Sequence, residues 1–255
     1  MTGIFSNTFF IAIAGAIIAG IPVLLQTQEL KKQNLIEQEA NAISKNQQQE
    51  SLLQSYRSRL SELEQQFLKA VPEQQVSIHA QLKAETQRVL QSLEPKDKGQ
   101  LIEYLSKAKF IDIDNPIISL WAVKGLEGAN FQDAIITDAN LQGAFLEDSN
   151  FQDSRLGRLD LSEALLMNAD FRRSFLQEVN FSKAFLARAN FENATLKGVV
   201  LKEANLKYAD FRNAKNLTTT QVKSSCFWKT AKFSSEFLKQ LEKAPDQKVD
   251  CSKWS

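Results

Sequence analysis

A chain of 255 residues with one histidine, two cysteines, nine glycines and a net charge of +1 is short of most of what chemistry at a protein site requires. The lone histidine, His79, leaves no Ser-His-Asp triad based on a second site. It has no cysteine or carboxylate at ligand spacing, so it reads as a helix-face histidine and not as a metal ligand. No glycine-rich loop is present to cradle a phosphate. Cys226 and Cys251 do not amount to a disulfide framework, and whether the two pair with one another is left open. The near-zero net charge supplies no overall field toward nucleic acid or an acidic partner. These shortages predict a protein that is not an enzyme, holds no cofactor or metal, and has no nucleic-acid partner.

Charged side chains are absent from Met1 to Gln28, and from Phe5 to Leu25 the chain is almost continuously apolar, FSNTFFIAIAGAIIAGIPVLL. About 20 such residues span a bilayer as a helix. The basic n-region and shorter apolar core of a cleaved signal peptide are both lacking. Residues 4–26 are therefore expected to form a transmembrane helix. Within it Ala12, Ala16 and Gly20 make a row of small residues four apart, the pattern that lets two membrane helices approach closely. Basic residues lie only beyond its C-terminal end, at Lys31, Lys32 and Lys45. The positive-inside rule then places the bulk of a single-pass protein in the cytoplasm, a reducing compartment that suits sparse cysteines.

Residues 27–94 contain no glycine and are rich in Gln, Glu, Lys and Leu, which predicts a helical stalk. Leu53, Tyr56, Leu60, Leu63, Phe67 and Ala70 alternate spacings of three and four, the seam of a partial coiled coil. Ile36, Ala40 and Ile43 keep that spacing upstream before Gln47 and Glu50 occupy it. A homodimer through this stalk or through the membrane helix is one expected assembly. Pro72 opens a second helix, with Val76, His79, Leu82, Thr86, Val89 and Leu93 along one side. The two helices either fold back as a hairpin or run on as one kinked rod. Residues 95–116 form a helical N-cap and linker, in which an amphipathic helix over 98–109 carries Leu101, Ile102, Leu105 and Ala108 on one face.

From Lys124 to Asn213 the chain repeats every five residues through 18 pentads without insertion: KGLEG ANFQD AIITD ANLQG AFLED SNFQD and onward to ADFRN. The middle residue is always Leu, Ile or Phe, and the residue two before it is small or apolar in 17 of the 18, which argues that both positions face inward. A period of five fits neither a helix nor an alternating strand; it fits a solenoid that turns a corner after each pentad. Every fourth centre matches best. One set is Leu126, Leu146, Leu166, Leu186 and Leu206, the next Phe131, Phe151, Phe171, Phe191 and Phe211. Residues 20 apart should therefore lie one above the other, giving about 4.5 square coils spaced like paired strands. Asn130, Asn140, Asn150, Asp160, Asp170, Asn180, Asn190 and Asp210 are expected to hold turns by side-chain to backbone bonds.

These pentads resemble the pentapeptide-repeat proteins, whose A(D/N)LXX pattern appears at Ala129-Asn130-Phe131, Ala139-Asn140-Leu141, Ala169-Asp170-Phe171, Ala189-Asn190-Phe191, Ala204-Asn205-Leu206 and Ala209-Asp210-Phe211. The resemblance implies a mainly β solenoid, a right-handed quadrilateral β-helix, here over residues 117–217. The flanks, Lys98 to Leu105 with Asn115 to Leu120 and Leu217 to Leu241, are similar to those of membrane-tethered bacterial members. Residues 218–255 would be the C-terminal helical cap and tail: Thr218 or Thr219 caps a short helix, Phe227 and Trp228 cover the last coil, a second helix runs from Ser235 to Leu241, and the tail from Pro245 is loose.

With no catalytic constellation, the working part must be the outer wall. The residue before each centre should point outward, which stacks Phe145, Leu165 and Phe185 in an apolar column beside Met167, with Ile135 and Phe175 on the opposite side. Such a patch marks an interaction site, unless the helical segment 72–109 folds down over it. Residues 124–168 carry eight acids and three bases, residues 169–213 five acids and eight bases, so the rod runs from acidic to basic. The reading is a membrane-anchored, non-enzymatic scaffold for an unidentified protein partner. The alternatives are an inhibitor acting by DNA-like surface mimicry and a passive structural spacer.

Overall fold

The computed structural model describes residues 5–107 and 126–254; of residues 5–25 and of His79 only the backbone is described. Two compact units divide between Ser51 and Leu52. Helix α1 (Phe5–Lys69) runs through the boundary, and its part in the first unit exposes Leu30, Leu35, Ile36 and Ile43, so the upstream seam faces solvent. The expected span 4–26, with its Ala12, Ala16 and Gly20 row, lies outside the described side chains. Among the described residues no helix is long and apolar enough to cross a membrane.

In the second unit the chain reverses at Ala70 and Val71. Val71 precedes a proline and is extended (φ −73°, ψ 159°), as the clash with the following ring requires. Pro72 then opens α2 (Pro72–Ser92), where its missing N–H leaves nothing unpaired. Helices α1 and α2 thus form a hairpin. Leu53, Tyr56, Leu60, Leu63 and Phe67 are buried in one core with Ile78, Leu82, Val89, Leu90 and Leu93, and the Tyr56 and Thr86 hydroxyls lie 2.8 Å apart. The expected coiled-coil seam is real as a stripe, but its partner is α2 of the same chain. Val76 is 69% exposed and does not line that stripe. It lies two residues, about 200° around the helix, from the buried Ile78.

Helix α3 (Pro95–Lys107) buries Leu101, Ile102 and Leu105 and caps the first coil of the repeat region. A coil end carries unpaired backbone groups, and side chains of the helices meet them. Gln87 Nε2 donates to Glu127 O (2.7 Å), Lys98 Nζ to Gln132 O (3.3 Å), and Ser106 Oγ accepts from Asn140 N (3.0 Å). Gly99 permits the close approach: a Cβ there would sit 2.1 Å from the Ile135 carbonyl oxygen.

Residues 126–213 form a four-sided β-helix with a strict 20-residue coil. Strands β1 (Ile135–Thr137), β2 (Arg155–Gly157), β3 (Phe175–Gln177) and β4 (Thr195–Lys197) pair in parallel along one side, Ile136 on Leu156 on Leu176 on Leu196. Single bridges such as Asn130 to Asn150 and Phe145 to Leu165 continue the register on the other sides. All 18 pentad centres and the 17 small or apolar residues two before them are buried. Three corners of a coil close by a hydrogen bond back to the centre carbonyl, as in Ala129 N to Leu126 O, Ala134 N to Phe131 O and Ala144 N to Leu141 O. The residue two after the centre takes a left-handed conformation, Asp133 (φ 58°) and Asn193 (φ 60°) among them. All eight expected Asx residues accept a hydrogen bond from the backbone N–H two residues on, from Asn130 (3.0 Å) through to Asp210 (3.1 Å), and Asn205 does the same.

At the far end Thr218 N-caps α4 (Thr219–Lys223), its hydroxyl accepting from Gln221 N while Gln221 Oε1 accepts from Thr218 N. The solenoid then continues: Cys226 pairs with Asn205 and Lys232 with Asp210. Phe233 extends the Phe file, 5.5 Å from Phe211. Phe227 does not cover the last coil as expected: it is exposed with φ 57° in the turn between the rungs at 226 and 232, whereas Trp228 is half-buried and packs against the core, and Val222, Cys226 and Phe233 are buried. Ser234 caps α5 (Ser235–Lys243). The tail is not loose either. It runs back along the rod, joined by a Cys226–Cys251 disulfide and by Gln247 Nε2 donating to Thr220 O (3.1 Å).

Candidate functional site

The outer column stands where the period puts it. Phe145, Leu165 and Phe185 occupy successive coils, each bridged in parallel to the next, and the column ends at the buried Asn205. All three large side chains are half-buried, as is Met167 beside them, whereas Ala187 is buried. The backbone N–H and C=O groups of Leu165 and Phe185 are consumed by neighbouring coils, as in Leu165 N to Ala144 O and Leu146 N to Leu165 O (2.9 and 2.8 Å), so at these two residues the wall offers side chains. On the opposite side Ile135 and Phe175 are 46% and 42% exposed, separated by the exposed Arg155. They form two isolated apolar points and not a column.

Helical residues 72–107 make their polar contacts with the first coil, residues 108 and 109 lie outside the described ones, and over the Phe185 end of the column lies the tail. The Trp254 ring lies on Phe185 (centroids 5.5 Å apart), and its Nε1 donates to Glu203 O (2.9 Å). Lys253 approaches Glu163 at 3.6 Å. Between tail and wall a cleft of about 270 Å³ remains, lined in part by Glu163, Lys183, Glu203 and Asp250. Sequence reasoning missed this contact; the available signals were a tryptophan and a cysteine in an otherwise polar tail.

Two ion pairs on the walls join successive coils. Arg158 forks onto Asp138 (2.6 and 2.6 Å) and Arg173 onto Asp153 (2.8 and 2.6 Å), each 20 residues away. Hydrogen bonds from these arginines hold the Asp138 and Asp153 carboxyls below the usual range. Asp170 and Asp210 are partly buried, which opposes ionisation, but the Arg172 and Arg212 side chains and backbone N–H groups outweigh burial and keep both carboxyls low. Along the column the flanking charge changes sign, from Glu147 and Asp148 to Arg188 and Lys207. Among the described residues no group of three metal-ligating side chains gathers.

A family model for pentapeptide repeats, in eight copies, matches residues 126–153, 146–182 and 184–215. Among solved structures, HetL from the cyanobacterium Nostoc sp. strain PCC 7120, a pentapeptide repeat protein involved in heterocyst differentiation regulation, is 33% identical over 34% of this chain and 39% of its own, with a TM-score of 0.28. The chain thus spans well under half of HetL's length. A pentapeptide repeat protein from the Arabidopsis thaliana thylakoid lumen is 26% identical over 38% of this chain and 70% of its own (TM-score 0.31). Rfr23 from the cyanobacterium Cyanothece 51142 is 22% identical over 42% and 86% (TM-score 0.29). A comparison with curated proteins returns no match.

Proposed function

The repeat segment of this chain, residues 126–215, belongs to the pentapeptide-repeat family, and on that premise we propose that the protein is a membrane-anchored scaffold that binds a protein partner along the Phe145–Leu165–Phe185 wall. Members of the family generally act through protein–protein contacts and not as enzymes. The observation that carries the reading is the half-buried apolar column itself. The interior is filled by stacked side chains, and the Leu165 and Phe185 backbones are bonded to neighbouring coils, so a partner meets side chains there. The occupant we commit to is a protein segment with an apolar centre, basic toward the Asp148 end and acidic toward the Arg188 end, since charge complementarity orients a partner. DNA-like mimicry is disfavoured because Asp138, Asp153, Asp170 and Asp210 each carry an arginine partner.

The membrane anchor rests on residues 4–26, and the cytoplasmic placement on Lys31, Lys32 and Lys45. A homodimer, where formed, is assigned to the Ala12, Ala16 and Gly20 row or to the exposed Ile36 and Ile43 face, because the 53–70 seam already packs on α2. The test is photocrosslinking in native membranes, with a benzophenone amino acid in place of Phe145 and, as opposite-wall control, of Gln177. One discrete protein adduct from position 145, removed by Leu165→Asp with an unchanged far-UV spectrum, is the expected result. An adduct with the mass of two copies would make the occupant a second chain. Equal adducts from both walls, or none from 145, would sink the reading.

A further inference from the structure

The distal end of the column lies under a tail held by one covalent bond. From Pro245 to Trp254 no residue is buried. The tail's tip is held on the wall by the Trp254 ring on Phe185, the Trp254 hydrogen bond to Glu203, the Lys253–Glu163 pair and the disulfide, and Gln247 bonds Thr220 nearer its start. Nearer its root, Lys223 Nζ bonds Ala244 O and Asp246 (2.9 Å), and these contacts anchor the helix end and not the tip. Exposed ion pairs of this kind contribute little, and the cleft beneath the tail shows that it is not packed down along its length. The two sulfurs differ in access: Cys226 is buried on its rung, whereas Cys251 is half-exposed. In the cytoplasmic placement proposed above, a disulfide that forms is transient and redox-sensing in the usual case.

We propose that the Cys226–Cys251 bond is a reducible strap, which holds Trp254 over Phe185 when oxidised and frees the end of the column for the partner when reduced. The inference rests on the docking reading above. The reductant is a dithiol. Its first thiolate attacks Cys251 Sγ, the S–S bond breaks, and Cys226 leaves as a thiolate that takes a proton. The second thiol of the reductant then displaces Cys251, so the dithiol departs as a disulfide and the protein carries two thiols. With the tail untethered, the Trp254 ring contact, two hydrogen bonds and one exposed ion pair compete against the freedom of a ten-residue segment, and the segment leaves the wall.

The test uses the full chain in native membranes, with the benzophenone residue in place of Phe185, before and after dithiothreitol and again after reoxidation with diamide. In the oxidised chain the expected product is an adduct to residues 245–254 of the same chain. Reduction should lower it at least about fivefold and raise the partner adduct correspondingly, reoxidation should restore it, and Cys251→Ser should reproduce the reduced pattern without reductant. A tail adduct that persists after reduction would overturn the proposal. So would a partner adduct from position 145 present in both states while position 185 gains none. If the tail adduct disappears on reduction but neither position captures a protein, the strap stands as a release device and the docking reading fails.

Discussion

Phe171 and Phe191, one coil apart, stack face to face with ring centroids 4.7 Å apart and planes within 1°. The same relation runs from Phe131 to Phe211 and, less tightly, on to Phe233. Phe181 meets the file edge-on at Phe171 and Phe191 (5.8 and 5.9 Å). A ring removed from the middle leaves a hole that parallel coils, tied to one another on every side, are poorly able to collapse. Phe171→Ala is expected to cost about 3–5 kcal/mol, and Phe171→Leu clearly less, read from urea unfolding midpoints.

Gly99 is the position at which α3 lies on the first coil. Gly99→Ala would drive a methyl group into the Ile135 carbonyl. Overpacking of that order costs about 1–3 kcal/mol, and hydrogen exchange should rise first in α3 and in residues 126–140, with the far end of the β-helix unchanged. Uniform loss of protection over all coils would contradict this account of the cap.

Left-handed corners predict opposite signs for two asparagine replacements. Asn193 has φ 60°, so Asn193→Gly should be neutral or mildly stabilising, whereas Asn193→Val should cost about 1–2 kcal/mol. Asn190 holds its turn through the side chain, accepting from Glu192 N at 3.0 Å. Asn190→Ala should cost about 1 kcal/mol. Thermal unfolding of the three variants side by side distinguishes backbone strain from a lost bond.

Acid should weaken the rod through Asp170 and Asp210. Their folded carboxyls lie below the ordinary value of about 4, although burial works the other way, because Arg172, Arg212 and backbone N–H groups favour the charged form. A lowered folded value means the stabilisation is complete above the unfolded value and lost as pH falls through the folded one. Stability measured from pH 6 downward should fall below about pH 4, and Asp170→Asn should flatten part of that slope.

The exposed coil-to-coil forks are expected to matter far less. Arg173→Gln should leave the urea unfolding midpoint nearly unchanged, with any difference shrinking in high salt. A larger, salt-independent loss would mean that the Asp153–Arg173 fork helps to set the register.

The repeat was readable because each pentad places the same side chain in the same surroundings. Leu126 to Leu206 and Phe131 to Phe211 are independent copies of one packing decision, and the eight Asx residues are local bonds between neighbours two apart. The stripe on α1 was readable for the same reason, since burial of Leu53, Tyr56, Leu60, Leu63 and Phe67 follows helical spacing. Its partner was not. A seam three and four apart is satisfied equally by another copy or by the chain's own α2, and Tyr56 meeting Thr86 depends on the reversal at Val71.

Periodic and local features of this protein follow from the residues alone: the square coil, its inward file of phenylalanines, the outward Phe145–Leu165–Phe185 wall, and the Thr218 cap. The features that depend on distant parts of the chain meeting had to be seen in the folded molecule: the α1–α2 hairpin, Gly99 against Ile135, Phe233 in place of Phe227 at the end of the file, and the tail that Cys251 ties to Cys226. Spacing specifies which face of an element is apolar. What covers that face is set by long-range packing, which carries no periodic trace.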